Sequence, residues 1–111
     1  MIRQLGQLRP ASTVAASVFT PAVAAPYTVS LINICNVSTA DVVVSVFHDV
    51  DGVTYDQSTA ILYTHTLSAG GMLQIEGNIA DYRAAGNIGV QSSVANAATF
   101  TVYGTISGER V

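Results

Sequence analysis

The residues able to do chemistry in this sequence are few, and the densest group is acidic. Asp49, Asp51 and Asp56 put three carboxylates within eight positions, in DVDGVTYD. A calcium ion wants several oxygens from one compact loop, and D-x-D-G is how such loops begin. The pattern then stops. The glycine is the fourth residue instead of the sixth, and Ala60 stands at the twelfth position, where a bidentate glutamate belongs. These residues read instead as a polar hairpin turn, with Asp side chains accepting from backbone amides and Gly52 tolerating positive φ.

His48 and His65 are the two imidazoles, and Cys35 is the single thiol. Nucleophilic catalysis needs a Ser, Thr or Cys beside a base that a third group orients. No motif here sets a nucleophile against a base. Cys35 stands in the apolar run LINIC and reads as a buried, unreactive thiol. The histidines read as edge or cross-strand residues. The expectation is a protein that is not an enzyme and holds no cofactor and no metal. One cysteine also excludes an intrachain disulfide framework. Tyr27, Tyr55, Tyr63, Tyr82 and Tyr103 would make a sugar-binding platform if their rings met on one face. They are equally explained as rings at the rim of a core with hydroxyls in water. Both readings stay open at this level.

The segments that carry these residues read as strands. Tyr27–Asn36 is rich in β-branched residues, with Val29, Leu31 and Cys35 on one face and Ile32 and Ile34 on the other. Ala40–Asp49 sets Val42, Val44 and Val46 against Val43 and Phe47. Both faces are apolar, so this strand is central or at an interface. Ala60–Leu67 alternates Ile61, Tyr63 and His65 with Leu62, Thr64 and Thr66. Ser68-Ala69-Gly70-Gly71 breaks the chain. Met72–Glu76 puts Leu73 and Ile75 opposite Gln74 and Glu76. A helical turn is expected around Ala80–Ala84. Ile88–Val94 and Ala98–Ser107 are strands, the second with Phe100, Val102 and Ile106 inward. With a further strand at Thr13–Phe19, the pattern is seven or eight short strands, an all-β antiparallel sandwich of jelly-roll type. No segment sustains an apolar period of 3.6, and no repeat or linker divides the chain.

The N-terminus has the outline of a signal peptide, with Arg3 and Arg9 before an apolar stretch and Ala22-Val23-Ala24 beyond it. The apolar stretch, Val14 to Phe19, is too short and is bounded by Pro10 and Pro21. Residues 1–12 therefore read as an extended arm and residues 13–111 as the sandwich. Arg3, Leu5, Leu8 and Arg9 are the candidate contacts of that arm with a neighbouring subunit.

The chain has 111 residues, half of them hydrophobic and 10% charged, with net charge −3. A domain of this size buries roughly two-thirds of its unfolded surface and folds without staples. Typical domains carry roughly 25% charged residues. The shortfall points to a surface covered by copies of the chain or by a partner, since interface cores are depleted in charge. The cations are Arg3, Arg9, Arg83 and Arg110, with no lysine, which argues against a nucleic-acid binder. No apolar run reaches the roughly 18 residues of a membrane-spanning helix.

Three stretches in order carry a resemblance: RQLGQLRPAS at the start; FHDVDGVTYDQSTAILY followed by LSAGGMLQIEG in the centre; GNIGVQSS and ATFTVYG at the end. From Arg3 to Gly104 this pattern resembles small β-sandwich virion proteins of tailed bacteriophages. TPAVAAP, at residues 20–26, departs from it and lengthens the first loop. The resemblance implies a location in the virion and a role as a capsid cement or decoration protein. Its partners would be the major capsid protein and copies of itself, as a homotrimer or other homo-oligomer. The alternative it implies is a tail, neck or fibre module that recognises host glycan or another virion protein. It rests on turns and strands, so it assigns no functional residue.

Overall fold

A computed structural model of the chain describes residues 2–19, 27–49, 55–81 and 87–106. It contains eight strands: β1 (Arg3–Leu8), β2 (Ala16–Phe19), β3 (Tyr27–Asn36), β4 (Val42–Asp49), β5 (Ala60–Leu67), β6 (Met72–Asp81), β7 (Asn87–Ser92) and β8 (Ala98–Ile106). The helical element among the described residues is a 3₁₀ turn at Gln57–Thr59. No helix there is long and apolar enough to cross a membrane.

The strands form two antiparallel sheets of four, in the orders β1-β8-β3-β6 and β2-β7-β4-β5. β1 pairs with β8, β2 with β7, β3 with β6 and β4 with β5. The chain thus behaves as one long ribbon of paired strands, rolled so that alternate pairs fall in opposite sheets. That is a jelly roll. Its core lies between the sheets, from Ile32 and Ile34 of β3, Val44 and Val46 of β4, Ile88 and Val90 of β7, and Phe100 and Val102 of β8, each fully buried.

One departure from simple alternation has a physical cause. Val29 was expected to share a face with Leu31 and Cys35. Instead it is buried with Ile32 and Ile34, because the register of β3 shifts between Val29 and Leu31 against both neighbours. The extra residue turns Val29 inward, and the Ser30 hydroxyl donates to the Tyr103 carbonyl at 3.4 Å. Close to the shift, β8 lies so near β3 that a Cβ on Gly104 would fall on the Thr28 carbonyl oxygen and within 2.9 Å of the Val29 Cα.

The N-terminal expectation is corrected. Residues 3–8 do not stand apart as an arm, because Arg3–Leu8 is the edge strand β1, hydrogen-bonded to β8 from Arg3↔Gly104 to Leu8↔Phe100. Leu5 and Leu8 supply the reason: they pack against the core and would leave it partly uncovered if released. The Pro10 carbonyl accepts from the Asn96 amide at 2.8 Å, which ties down the residues after the strand. A second correction concerns Ala80 and Asp81, which extend β6 instead of opening a helical turn. The rest of that expected turn, the Asp51-Gly52 turn, Ala22-Val23-Ala24 and the 20–26 loop lie outside the described residues.

One buried amide fastens an end of the sandwich. Asn36, 1% exposed, donates from Nδ2 to the carbonyls of Ala40, Leu67 and Ser68 at 2.8, 2.9 and 3.0 Å. Its Oδ1 accepts from the Ser38 amide and hydroxyl. The β3–β4 turn is thereby joined to the end of β5.

Candidate functional site

The outer face of the β2-β7-β4-β5 sheet is where the structure brings aromatic and hydroxyl side chains together. Phe47 points away from the core yet is only 1% exposed. Tyr55 and Tyr63 cover it, with ring centroids at 5.9 Å and 6.5 Å, the second pair edge-on. Such tilted and edge-to-face contacts suit aromatic quadrupoles. Gly89, opposite Phe47 on β7, lets the Tyr55 ring approach the strand closely, because a Cβ there would come within 2.5 Å of the ring. Two of the five tyrosines therefore do share a face. Tyr103 lies across from Leu31 in the other sheet. Tyr82 is outside the described residues.

Beside these rings is an open groove of about 420 Å³, lined by Thr13, Val43, Ser45, Tyr63, Thr64, Gln91, Ser92 and Ser93. A β-bulge makes it. Val44 pairs with His65 and Val46 with Leu62, so Tyr63 and Thr64 together oppose Ser45. Thr64 takes a left-handed backbone, φ 49°, a conformation that costs a β-branched residue of order 1–3 kcal/mol. Its amide donates to the Ser45 hydroxyl at 2.9 Å, which replaces the ladder bond that the bulge removes. Across the groove, the Gln91 side-chain amide donates to the Thr13 carbonyl at 3.1 Å, and the Ser93 hydroxyl accepts from the Val43 amide at 2.9 Å. Among the described residues, no side chain lining the groove is charged. The sequence carried no signal for this site, because its walls come from separate strands and the bulge leaves the composition of β5 unremarkable.

The residues singled out by type are scattered. Asp56 is exposed and caps the 3₁₀ turn: its carboxylate accepts from the Ser58 hydroxyl and from the Ser58 amide at 2.8 Å, and the Thr59 hydroxyl accepts from the Asp56 amide. These bonds hold the Asp56 carboxyl below its ordinary value of 3.8, chiefly through the Ser58 hydroxyl and next through the amide. Slight desolvation and the charge of Asp49 push the other way. This is the amide-accepting role expected of the acidic segment. Asp49 is buried at the end of β4, and Asp51 lies outside the described residues. Among the described residues, no three metal-ligating side chains cluster.

Cys35 is half-buried on the β1-β8-β3-β6 sheet, between Met72 and Thr99 in register. His48 and His65 belong to the other sheet, so the thiol is not set beside an imidazole. Cys35 was expected to be buried; it is only half-buried because it lies on the outer side of β3, opposite in alternation to Ile34. Of the candidate arm contacts, Arg3 and Arg9 are exposed, whereas Leu5 and Leu8 are turned partly into the core.

The comparison with known proteins concerns the fold. No protein-family model matches the sequence, and no curated protein matches it. Solved viral structures share the jelly roll. A chain of the T13 IBDV viral particle superposes with a TM-score of 0.56 at 11% identity, over 97% of this chain and 31% of that one. The infectious bursal disease virus Gx strain gives 0.51 at 13% identity, over 99% of this chain and 33% of that one. The Gt strain gives 0.50 at 12%, over 94% and 31%. The chain therefore spans about a third of the length of those viral chains. At such identities the likeness shows a common fold.

Proposed function

We propose that this chain is a structural, non-enzymatic protein of a virion. More narrowly, we read it as a cement protein on the head of a tailed bacteriophage, bound to the major capsid protein and to copies of itself as a homotrimer or other homo-oligomer. The observation that carries the reading is the jelly roll, shared across 97% of this chain with part of an icosahedral viral particle.

The outer face of the β1-β8-β3-β6 sheet supports the same reading. Gln7, Thr101, Asn33 and Gln74 run across all four strands in one register row. Gln7 donates to the Thr101 hydroxyl at 3.1 Å, and Asn33 Oδ1 is buried without a hydrogen-bond partner among the described residues. A row of neutral amides and hydroxyls suits a protein neighbour, because charges are expensive to desolvate and amides are readily paired. Met72, 60% exposed beside this row, adds apolar surface. In this arrangement Arg3 and Arg9, at the β1 edge, reach the capsid, and Leu5 and Leu8 hold β1 in place.

Copy number per particle, measured by quantitative mass spectrometry against the major capsid protein, tests the proposal. A ratio of one, or a simple fraction of it, is expected. A handful of copies would move the protein to the tail, neck or fibre. Absence from particles would overturn the virion reading.

A further inference from the structure

We infer that the groove on the outer face of the β2-β7-β4-β5 sheet is a binding site for a neutral saccharide, a role beyond the structural one. Its volume of about 420 Å³ lies within the range of roughly 300–1,000 Å³ typical of small-molecule sites. A pyranose presents an apolar face of C–H groups and a rim of hydroxyls that both donate and accept. The groove presents the complement. Tyr63, 46% exposed, gives it an aromatic wall, and the edge-on contact with Phe47 fixes that ring in place.

The polar lining keeps capacity to spare. The Gln91 amide spends one N–H on the Thr13 carbonyl and keeps its oxygen for a ligand hydroxyl. Ser45 and Ser93 each accept a backbone bond and can still donate their hydroxyl protons. The Thr64 hydroxyl, one residue from the Tyr63 ring, can do either. Other ligand classes fit worse. Among the described lining residues an anion would meet no cation and a hard cation no carboxylate, and an apolar ligand would strip water from hydroxyls that it could not pair. The left-handed Thr64 is a second, independent observation. Strained backbone of this kind concentrates at binding sites, and here the bulge that contains it places Tyr63 and Thr64 side by side in the groove.

The test is a titration of the ¹⁵N-labelled full chain with methyl α-glucoside, methyl α-mannoside, methyl β-galactoside and N-acetylglucosamine, followed by amide chemical shifts. At least one sugar should shift the amides of Ser45, Thr64 and Gln91 saturably, with the other sheet unaffected. Tyr63→Ala should weaken binding about tenfold, and Tyr63→Phe should retain it. Gln91→Ala should also weaken it, and it stands in if Tyr63→Ala fails to fold. No localised shifts with any of the four sugars would overturn the inference, as would shifts that survive both alanine substitutions. Equal binding of N-acetylneuraminate would overturn the assignment to neutral sugars. None of these results depends on particle association, so the virion reading stands or falls separately.

Discussion

The ring of Tyr55 occupies the space that a side chain on Gly89 would need: a Cβ on Gly89 would sit 2.5 Å from Tyr55 Cε1. The obstacle is a side chain, so it can yield. Gly89→Ala should displace the ring, uncover Phe47 and lower stability by about 1–3 kcal/mol, the usual range for overpacking. Gly104→Ala meets the Thr28 backbone instead and has nowhere to move. It should cost more than about 4 kcal/mol, among the most damaging of single changes. Urea midpoints of the two variants check the order; a reversal would show that Tyr55 is not held against the sheet.

Asn36→Ala removes the donors serving the carbonyls of Ala40, Leu67 and Ser68. Buried acceptors stripped of their partner typically cost about 1–3 kcal/mol each, and water entering the gap would recover part of that. A loss of about 3 kcal/mol is expected in equilibrium unfolding. A change below about 0.5 kcal/mol, the level of an ordinary surface substitution, would show that the two turns are held by other means.

The Asp56 cap makes stability depend on acid. Its folded-state carboxyl titrates below the ordinary 3.8, mainly because of the Ser58 hydroxyl. The folded form therefore binds its proton less readily than the unfolded chain. The cap contributes fully above pH 3.8 and is lost as pH falls through the lower, folded value. A carbon-detected NMR titration of the Asp56 carboxyl should give a midpoint under 3.8, and Ser58→Ala should move it upward. A midpoint at or above the ordinary value would rule the cap out.

Thr64→Gly should release the strain of the left-handed bulge and raise stability by up to about 1 kcal/mol, after the added freedom of glycine in the unfolded chain is subtracted. Asn96, which also has positive φ at 59°, is a residue type that tolerates this region, so Asn96→Gly should change little. Thermal unfolding of the two variants makes the comparison. Marked destabilisation by Thr64→Gly would mean that the threonine side chain supports the bulge.

Much of the fold is legible residue by residue. The bounds of β3 and β5 coincide with the apolar runs Tyr27–Asn36 and Ala60–Leu67, and Leu73 and Ile75 face inward as their alternation requires. The apolar pattern on both faces of β4 corresponds to a strand between two others, its outer Phe47 covered by tyrosines. Three things were hidden for separate reasons. β1 has sparse apolar residues and a glycine, so its pairing is decided by β8 and not by its own pattern. The inward turn of Val29 depends on a register shift against β6 and β8, which no local alternation encodes. The groove is assembled from strands far apart in sequence, and its key residue, Thr64, is conspicuous only by its dihedral angle.

The rolled ribbon also sets the order in which the molecule can form. β4 and β5 meet across a short connection, whereas β1 must find β8 at the far end, with Arg3 against Gly104. Closing nearly the whole chain into one loop is entropically slow, and topologies dominated by such distant pairings fold in milliseconds to seconds. Until β1 docks, β8 is a bare edge with unpaired amides and carbonyls, a template for a strand from another molecule. Refolding should therefore become concentration-dependent when Leu5 or Leu8 is truncated to alanine, as chains caught before closure capture one another through β8.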